Sequence, residues 1–185
     1  MKMELVKIIE NKKILRFLII AFLGSIALAI SSKIKIPFYP VPMTMQTFVV
    51  LFLGISFGYK IGLASVSLYL FEGIIGLPVF SNSPEKGVGL VYFMGPTMGY
   101  LIGFLLAVFF AGYLNFKSNY LTIFIKLIFS VSVIYILGLL WLGSLIGWDK
   151  PIFELGAKPF LLAELFKISL LTLITKKIVG LRKFI

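Results

Sequence analysis

The sequence predicts an all-α integral membrane protein of six spanning helices, with both termini on the cytoplasmic side. Three observations predict it. The residues are 60% hydrophobic and only 14% charged, with a mean hydropathy of +1.08, whereas soluble domains carry roughly 25% charged residues. Apolar runs recur at roughly 16–32, 44–57, 60–77, 95–115, 120–143 and 158–178, most of them near the about 20 residues that a spanning helix needs. Basic residues also sort by side. Lys2, Lys7, Lys12, Lys13, Arg16, Lys60, Lys117, Lys126, Lys176, Lys177, Arg182 and Lys183 fall on one side, and only Lys33, Lys35, Lys86, Lys150 and Lys158 on the other. This is the positive-inside bias, and it puts the richer side in the cytoplasm. The net charge of +11 is thereby explained without nucleic acid, and the basic ends are suited to anionic lipid.

The first span has a basic lead, an apolar run and Ala27-Leu28-Ala29 before Ser31-Ser32. That pattern resembles a signal peptide, but we read it as a retained first helix. Its small residues Ala21, Ser25 and Ala29 lie four apart on one face. Such faces permit close helix approach in lipid, so the stripe is expected either to pack internally or to dock another membrane subunit. The chain then enters a segment with Pro37, Pro40 and Pro42. Proline removes donors and cannot continue a helix, so a rigid loop at the membrane boundary is expected. The short second span becomes a plausible crossing if that loop dips into the bilayer rim, covered by other helices. Gly58-Tyr59-Lys60 turns the chain straight into the third. Gly95, Gly99 and Gly103 form a packing face on the fourth, and Gly54, Gly58 and Gly62 bridge the second and third. The whole of 1–185 is expected to form one membrane domain. Its long outer loops fall at about 33–43, 78–94 and 144–157. Long loops carry function more often than tight turns do, which points to a site facing outwards.

Intramembrane ionisable residues are costly, roughly 2.5–3.5 kcal/mol each on insertion scales. Glu72, Glu164 and Lys167 stand out on that ground. The three-residue spacing of Glu164 and Lys167 puts them on one helix face, where they can pair or bracket a polar group. Asn82, Gln46 and Thr44 are ordinary turn or helix-start residues taken singly, and become a site only if they converge on one cavity. The chain has no cysteine and no histidine. Disulfides, thiol nucleophiles and metal or haem sites built on those residues are excluded, and the seven carboxylates are too scattered to suggest a metal. No Walker-type phosphate loop, catalytic dyad or filter motif is present, so neither ATP hydrolysis nor a channel is supported.

The runs Val41-Pro-Met-Thr-Met-Gln46-Thr, Glu72-Gly-Ile-Ile-Gly-Leu-Pro-Val-Phe80 and Gly95-Pro-Thr-Met-Gly-Tyr100 closely resemble the BioY family. Its members are biotin-specific S components of energy-coupling factor (ECF) transporters. The resemblance covers nearly the whole chain. It implies an S-component fold of six helices, no enzyme activity, no cofactor, and biotin as transported ligand in a pocket near the outer surface. It further implies a transmembrane coupling subunit and two cytoplasmic ATPases as partners, with Ala21, Ser25 and Ala29 matching the family's docking face. Asn82 matches the family's asparagine after Gly-Leu-Pro-Val-Phe. Glu164 and Lys167 match its Asp-x-x-Lys pair, with glutamate one methylene longer, and Met98 stands where the family often has glycine.

The chemistry suits that ligand. Glu164 can accept a ureido N–H while Lys167 donates to the ureido oxygen. Asn82, Gln46 or Thr44 can serve the tail, with Lys86 the cation for its carboxylate. Phe80, Tyr92 and Tyr39 are candidate apolar walls. The alternatives are an S component for another vitamin, a small intramembrane enzyme using Glu72 with Glu164, and an interaction protein whose Glu164–Lys167 pair docks a partner.

Overall fold

The structure is a computed structural model that describes residues 2–36 and 39–184; Pro37 and Phe38 of the proline-rich segment lie outside the described residues. Its long elements are α1 (Lys2–Lys33), α2 (Gln46–Ile74), α4 (Met98–Tyr113), α5 (Tyr120–Ile146) and α7 (Leu161–Ile178). Between them lie a strand pair, β1 (Lys35–Ile36) and β2 (Met43–Thr44), and two short helices, α3 (Leu90–Phe93) and α6 (Ile152–Gly156). A 3-10 turn over Lys158–Phe160 leads into α7, and another over Val179–Phe184 follows it.

Helix α2 is two helices folded back on each other. Gly58 has φ 78° and ψ 171°, a backbone region open essentially to glycine alone. The Gln46 amide reaches the Tyr69 hydroxyl at 2.7 Å, although 23 residues of straight helix would separate them by about 35 Å. The two arms, 46–57 and 59–74, therefore form the tight hairpin expected from Gly58-Tyr59-Lys60. Nothing lies within 4 Å of a Cβ built on Gly58, so a side chain there costs conformation rather than space. Gly58→Ala is expected to destabilise the fold by about 1–3 kcal/mol and to lower the thermal midpoint of the purified protein. An unchanged midpoint would show that the turn relaxes.

Small residues set the remaining contacts. A Cβ on Gly99 would stand 2.4 Å from the Leu137 carbonyl oxygen, and one on Gly103 would stand 2.7 Å from Ile134 Cα. Helix α4 thus lies directly on α5, as its glycine face predicts. On its other side Gly54 of the hairpin abuts the Val108 carbonyl. At the closed end of the hairpin, Arg182 donates to the carbonyls of Ile55 at 2.8 Å and Gly54 at 3.1 Å. It satisfies the orphan acceptors of a helix end, and burial lowers its pKa.

The stripe of Ala21, Ser25 and Ala29 is turned inwards. Ala21 and Ser25 are buried, Ala29 half-buried, and Ser25 Oγ donates to Glu72 Oε1 at 2.8 Å. As placed here it is a packing face against the second arm of α2, and the exposed face of α1 is the one bearing Leu15, Leu18, Phe22 and Ile26. The polar Ser25–Glu72 contact gives the carboxylate a partner, which an unpaired acid in the membrane would lack.

Among the described residues, three helices are long and apolar enough to cross a membrane: Lys12–Lys33, the folded Gln46–Ile74 and Tyr120–Ile146, with Met98–Tyr113 apolar but shorter. The loop expected at 144–157 holds α6, and the one at 78–94 holds α3.

Candidate functional site

The site forms where the open end of the α2 hairpin meets α7. The strands pair antiparallel, Lys35 with Thr44 and Ile36 with Met43, so the proline-rich segment doubles back and delivers Thr44 and Thr47 to α7. There Glu164 and Lys167 are both 5% exposed, and their side chains form an ion pair. Lys167 Nζ also donates to the Thr44 carbonyl at 3.0 Å and to Thr47 Oγ1 at 2.7 Å. An ammonium has three protons, and these acceptors account for all three. Thr47 in turn donates to Glu164 Oε1 at 2.8 Å. The second oxygen, Glu164 Oε2, is buried and has no donor within hydrogen-bonding distance, and the Tyr135 phenol is the side chain that faces the carboxylate across the cavity. A buried acceptor left unpaired costs about 1–3 kcal/mol, so it is the group that most needs a donor.

Glu164 lines a cavity with Thr44, Gln46, Thr47, Phe80, Tyr92 and Tyr135. The wall is aromatic. Phe80 stacks on Tyr92 with centroids 4.6 Å apart and meets the edge of Tyr69 at 5.2 Å. Phe80 fits because Gly73 has no side chain: a Cβ there would lie 2.0 Å from the ring. Burial raises the pKa of the Tyr92 phenol, which keeps that wall uncharged. Gln46 is held by Tyr69, and the Tyr100 hydroxyl donates to the Gly156 carbonyl at 2.8 Å, tying α4 to α6 beside the cavity.

The loop carrying Phe80 is fastened to the C-terminal end of α1. Ser32 Oγ donates to Val79 O at 2.7 Å, and Lys33 Nζ donates to the carbonyls of Phe80 and Ser83 at 2.7 and 2.8 Å. Lys35 Nζ donates to Ser81 O at 2.7 Å and to Asn82 Oδ1 at 2.9 Å.

The structure therefore brings together Thr44, Gln46, Phe80, Tyr92 and Glu164, with Lys167 directly behind. Asn82 lines a smaller adjoining pocket with Pro40, Lys86 and Gly95, and Tyr92 and Thr97 belong to both. Tyr39 is 84% exposed and lines neither; the Lys86 ammonium sits 5.7 Å from its ring centre. Glu72 stays at the α1 contact. Thr47, Tyr69, Tyr100 and Tyr135 were not singled out by sequence. Thr47 had a legible signal, being a polar residue in the first turn of an apolar helix beside Gln46, whereas the tyrosines are indistinguishable from core in apolar runs.

A model of the BioY family matches residues 3–183. The chain belongs to the BioY family. Among relatives, it is 34% identical over 152 residues to the "Probable biotin transporter BioY" of Pyrococcus horikoshii, covering 82% of this chain and 89% of that one. It is 33% identical over 165 residues to the "Biotin transporter BioY" of Thermotoga maritima, covering 89% and 96%. A crystal structure of the S-component for biotin from an ECF-type ABC transporter has a TM-score of 0.75 at 25% identity, covering 94% of each chain. The BioY match thus extends over the helices, the proline-rich segment and α7 alike.

Proposed function

We propose that this chain is the biotin-capturing S component of an ECF-type transporter. The observation that carries the reading is the Glu164–Lys167–Thr47 array, which leaves one buried carboxylate oxygen with no donor in hydrogen-bonding distance at an aromatic cavity, facing Tyr135. Biotin offers a planar urea with two N–H donors and one strong acceptor. Glu164 Oε2 accepts one ureido N–H, and Lys167 donates to the ureido oxygen in exchange for one of its threonine contacts. Both bonds are charge-assisted, hence short and strong. Phe80 and Tyr92 cover the apolar rings. Thr44 and Gln46 line the path outwards, where Asn82 and Lys86 receive the carboxylate tail. Tyr39 contributes only at the rim, through Lys86, and Glu72 has no ligand role in this arrangement.

Within this proposal the chain is one membrane domain of six crossings, the α2 hairpin supplying two of them. Both termini lie in the cytoplasm, supported by the twelve-to-five bias of its basic residues, and the membrane is the cytoplasmic one. Its partners are a transmembrane coupling subunit and two ATPases that hydrolyse ATP. The chain itself does no covalent chemistry and needs no cofactor.

The test is equilibrium binding of labelled biotin to detergent-purified protein, competed with unlabelled biotin, riboflavin and thiamine. Saturable binding displaced by biotin alone is expected. Folded protein that binds no biotin, or releases it equally to the other vitamins, would overturn the reading.

A further inference from the structure

We infer that Thr47 is a positioning residue that fixes the plane of the Glu164 carboxylate, so that one oxygen is left facing the ligand. The inference rests on the biotin-binding reading and goes beyond it. A glutamate carboxylate rotates about a broad, two-fold terminal torsion, so an ion pair through one oxygen does not by itself fix the plane in which the other lies. Thr47 removes that freedom. Its hydroxyl is buried, donates to Glu164 Oε1 at 2.8 Å and accepts from Lys167 Nζ at 2.7 Å. One hydroxyl supplies one donor and up to two acceptor sites, so both bonds form at once. Oε1 is then held from two elements, the first turn of α2 and α7. Lys167 is restrained by a third contact to the Thr44 carbonyl and has no proton left for Oε2. That leaves Oε2 as the Glu164 acceptor for a ligand, at the cavity face that Tyr135 shares. Thr47 and Thr44 stand on the same stretch of chain, at the end of the strand pair. The ligand's acceptor is therefore oriented by the docked position of the first outer loop.

Thr47→Val keeps the shape and removes the hydroxyl, and Thr47→Ser keeps the hydroxyl. Biotin titrations in detergent are run on the parent, both variants, Glu164→Gln, and Glu164→Gln combined with Thr47→Val, with thermal melts as the check on folding. Thr47→Val is expected to weaken biotin at least about tenfold, and Thr47→Ser to stay within about twofold of the parent, since the hydrogen bonds survive. In the Glu164→Gln background the valine change is expected to cost much less, because residues acting through one another are non-additive. Parent binding with a Thr47→Val variant that binds as well, or a full valine penalty on top of Glu164→Gln, would overturn the role of Thr47 and leave the biotin reading intact. Loss of binding by a folded Thr47→Ser variant would overturn it too, and covers the case in which valine prevents folding. A folded parent that does not bind biotin would bring down both.

Discussion

Lys167→Ala and Glu164→Ala are each expected to weaken biotin binding at least tenfold, about 1.4 kcal/mol. The reason is the burial of the pair. Both side chains are almost wholly enclosed, so removing one leaves the other charge in a low-dielectric setting without its counter-ion, an arrangement that costs about 3–5 kcal/mol in typical buried pairs. In Lys167→Ala, the carboxylate keeps the Thr47 donor and the neighbouring Tyr135 phenol but no counter-charge. In Glu164→Ala, the ammonium keeps Thr44 and Thr47, but the buried acceptor for the ureido N–H is gone. Glu164→Gln, which retains an acceptor and loses the charge, is expected to fall between parent and alanine. The double alanine variant is expected to lose less than the sum of the singles, as coupled partners do. Titration of labelled biotin, with thermal melts to separate binding from folding, measures all four. If both single variants bind as the parent does, the pair is not at the ligand, whatever family the chain belongs to.

The helices were legible because their signals are local and redundant. Hydropathy marked the apolar segments, and Gly58-Tyr59-Lys60 announced the hairpin that the backbone of Gly58 makes. Glu164 and Lys167 were legible because charge inside an apolar helix is expensive and their spacing shares a face. The rest depends on what lies across a gap, which one chain segment does not encode. The stripe of Ala21, Ser25 and Ala29 shows a helix face fit for close approach. Its periodicity is the same whether a second subunit or the chain's own α2 covers it, and here Glu72 meets Ser25 from within. The short pairing of Lys35–Ile36 with Met43–Thr44 is hidden by the prolines between, which argue for a loop. Thr47 looks like one more polar residue at a helix start until α7 is placed beside it. Asn82 lines the smaller pocket beside the cavity. Lys35 holds its side-chain oxygen, an interaction between two loops that sequence spacing cannot reveal.

Gly112→Ala is expected to be the most damaging single-methyl change at the closed end of the α2 hairpin. A Cβ there would lie 2.2 Å from Tyr59 N, 2.4 Å from Tyr59 Cα and 2.7 Å from Gly58 C. All three are backbone atoms of the hairpin turn, so no side chain can swing aside to make room. Helix α4 must retreat from the turn. That also strains the Arg182 bonds to Ile55 and Gly54 and the edge-on contacts of the Tyr59 ring with Phe109 and Tyr113, at 5.7 and 6.3 Å. Overpacking of this kind costs about 1–3 kcal/mol and sometimes more. Gly180→Ala is the matched control, since nothing lies within 4 Å of its Cβ position. Thermal melts followed by size exclusion are expected to show a clear drop for Gly112→Ala and none for Gly180→Ala. Biotin affinity of the surviving folded fraction is expected to stay near that of the parent, because Glu164 sits at the open end of the hairpin and Gly112 at the closed one. Equal melts for the two variants would mean that α4 slides past the turn without loss. A fall in affinity matching the fall in stability would instead show that the two ends of the hairpin are mechanically coupled.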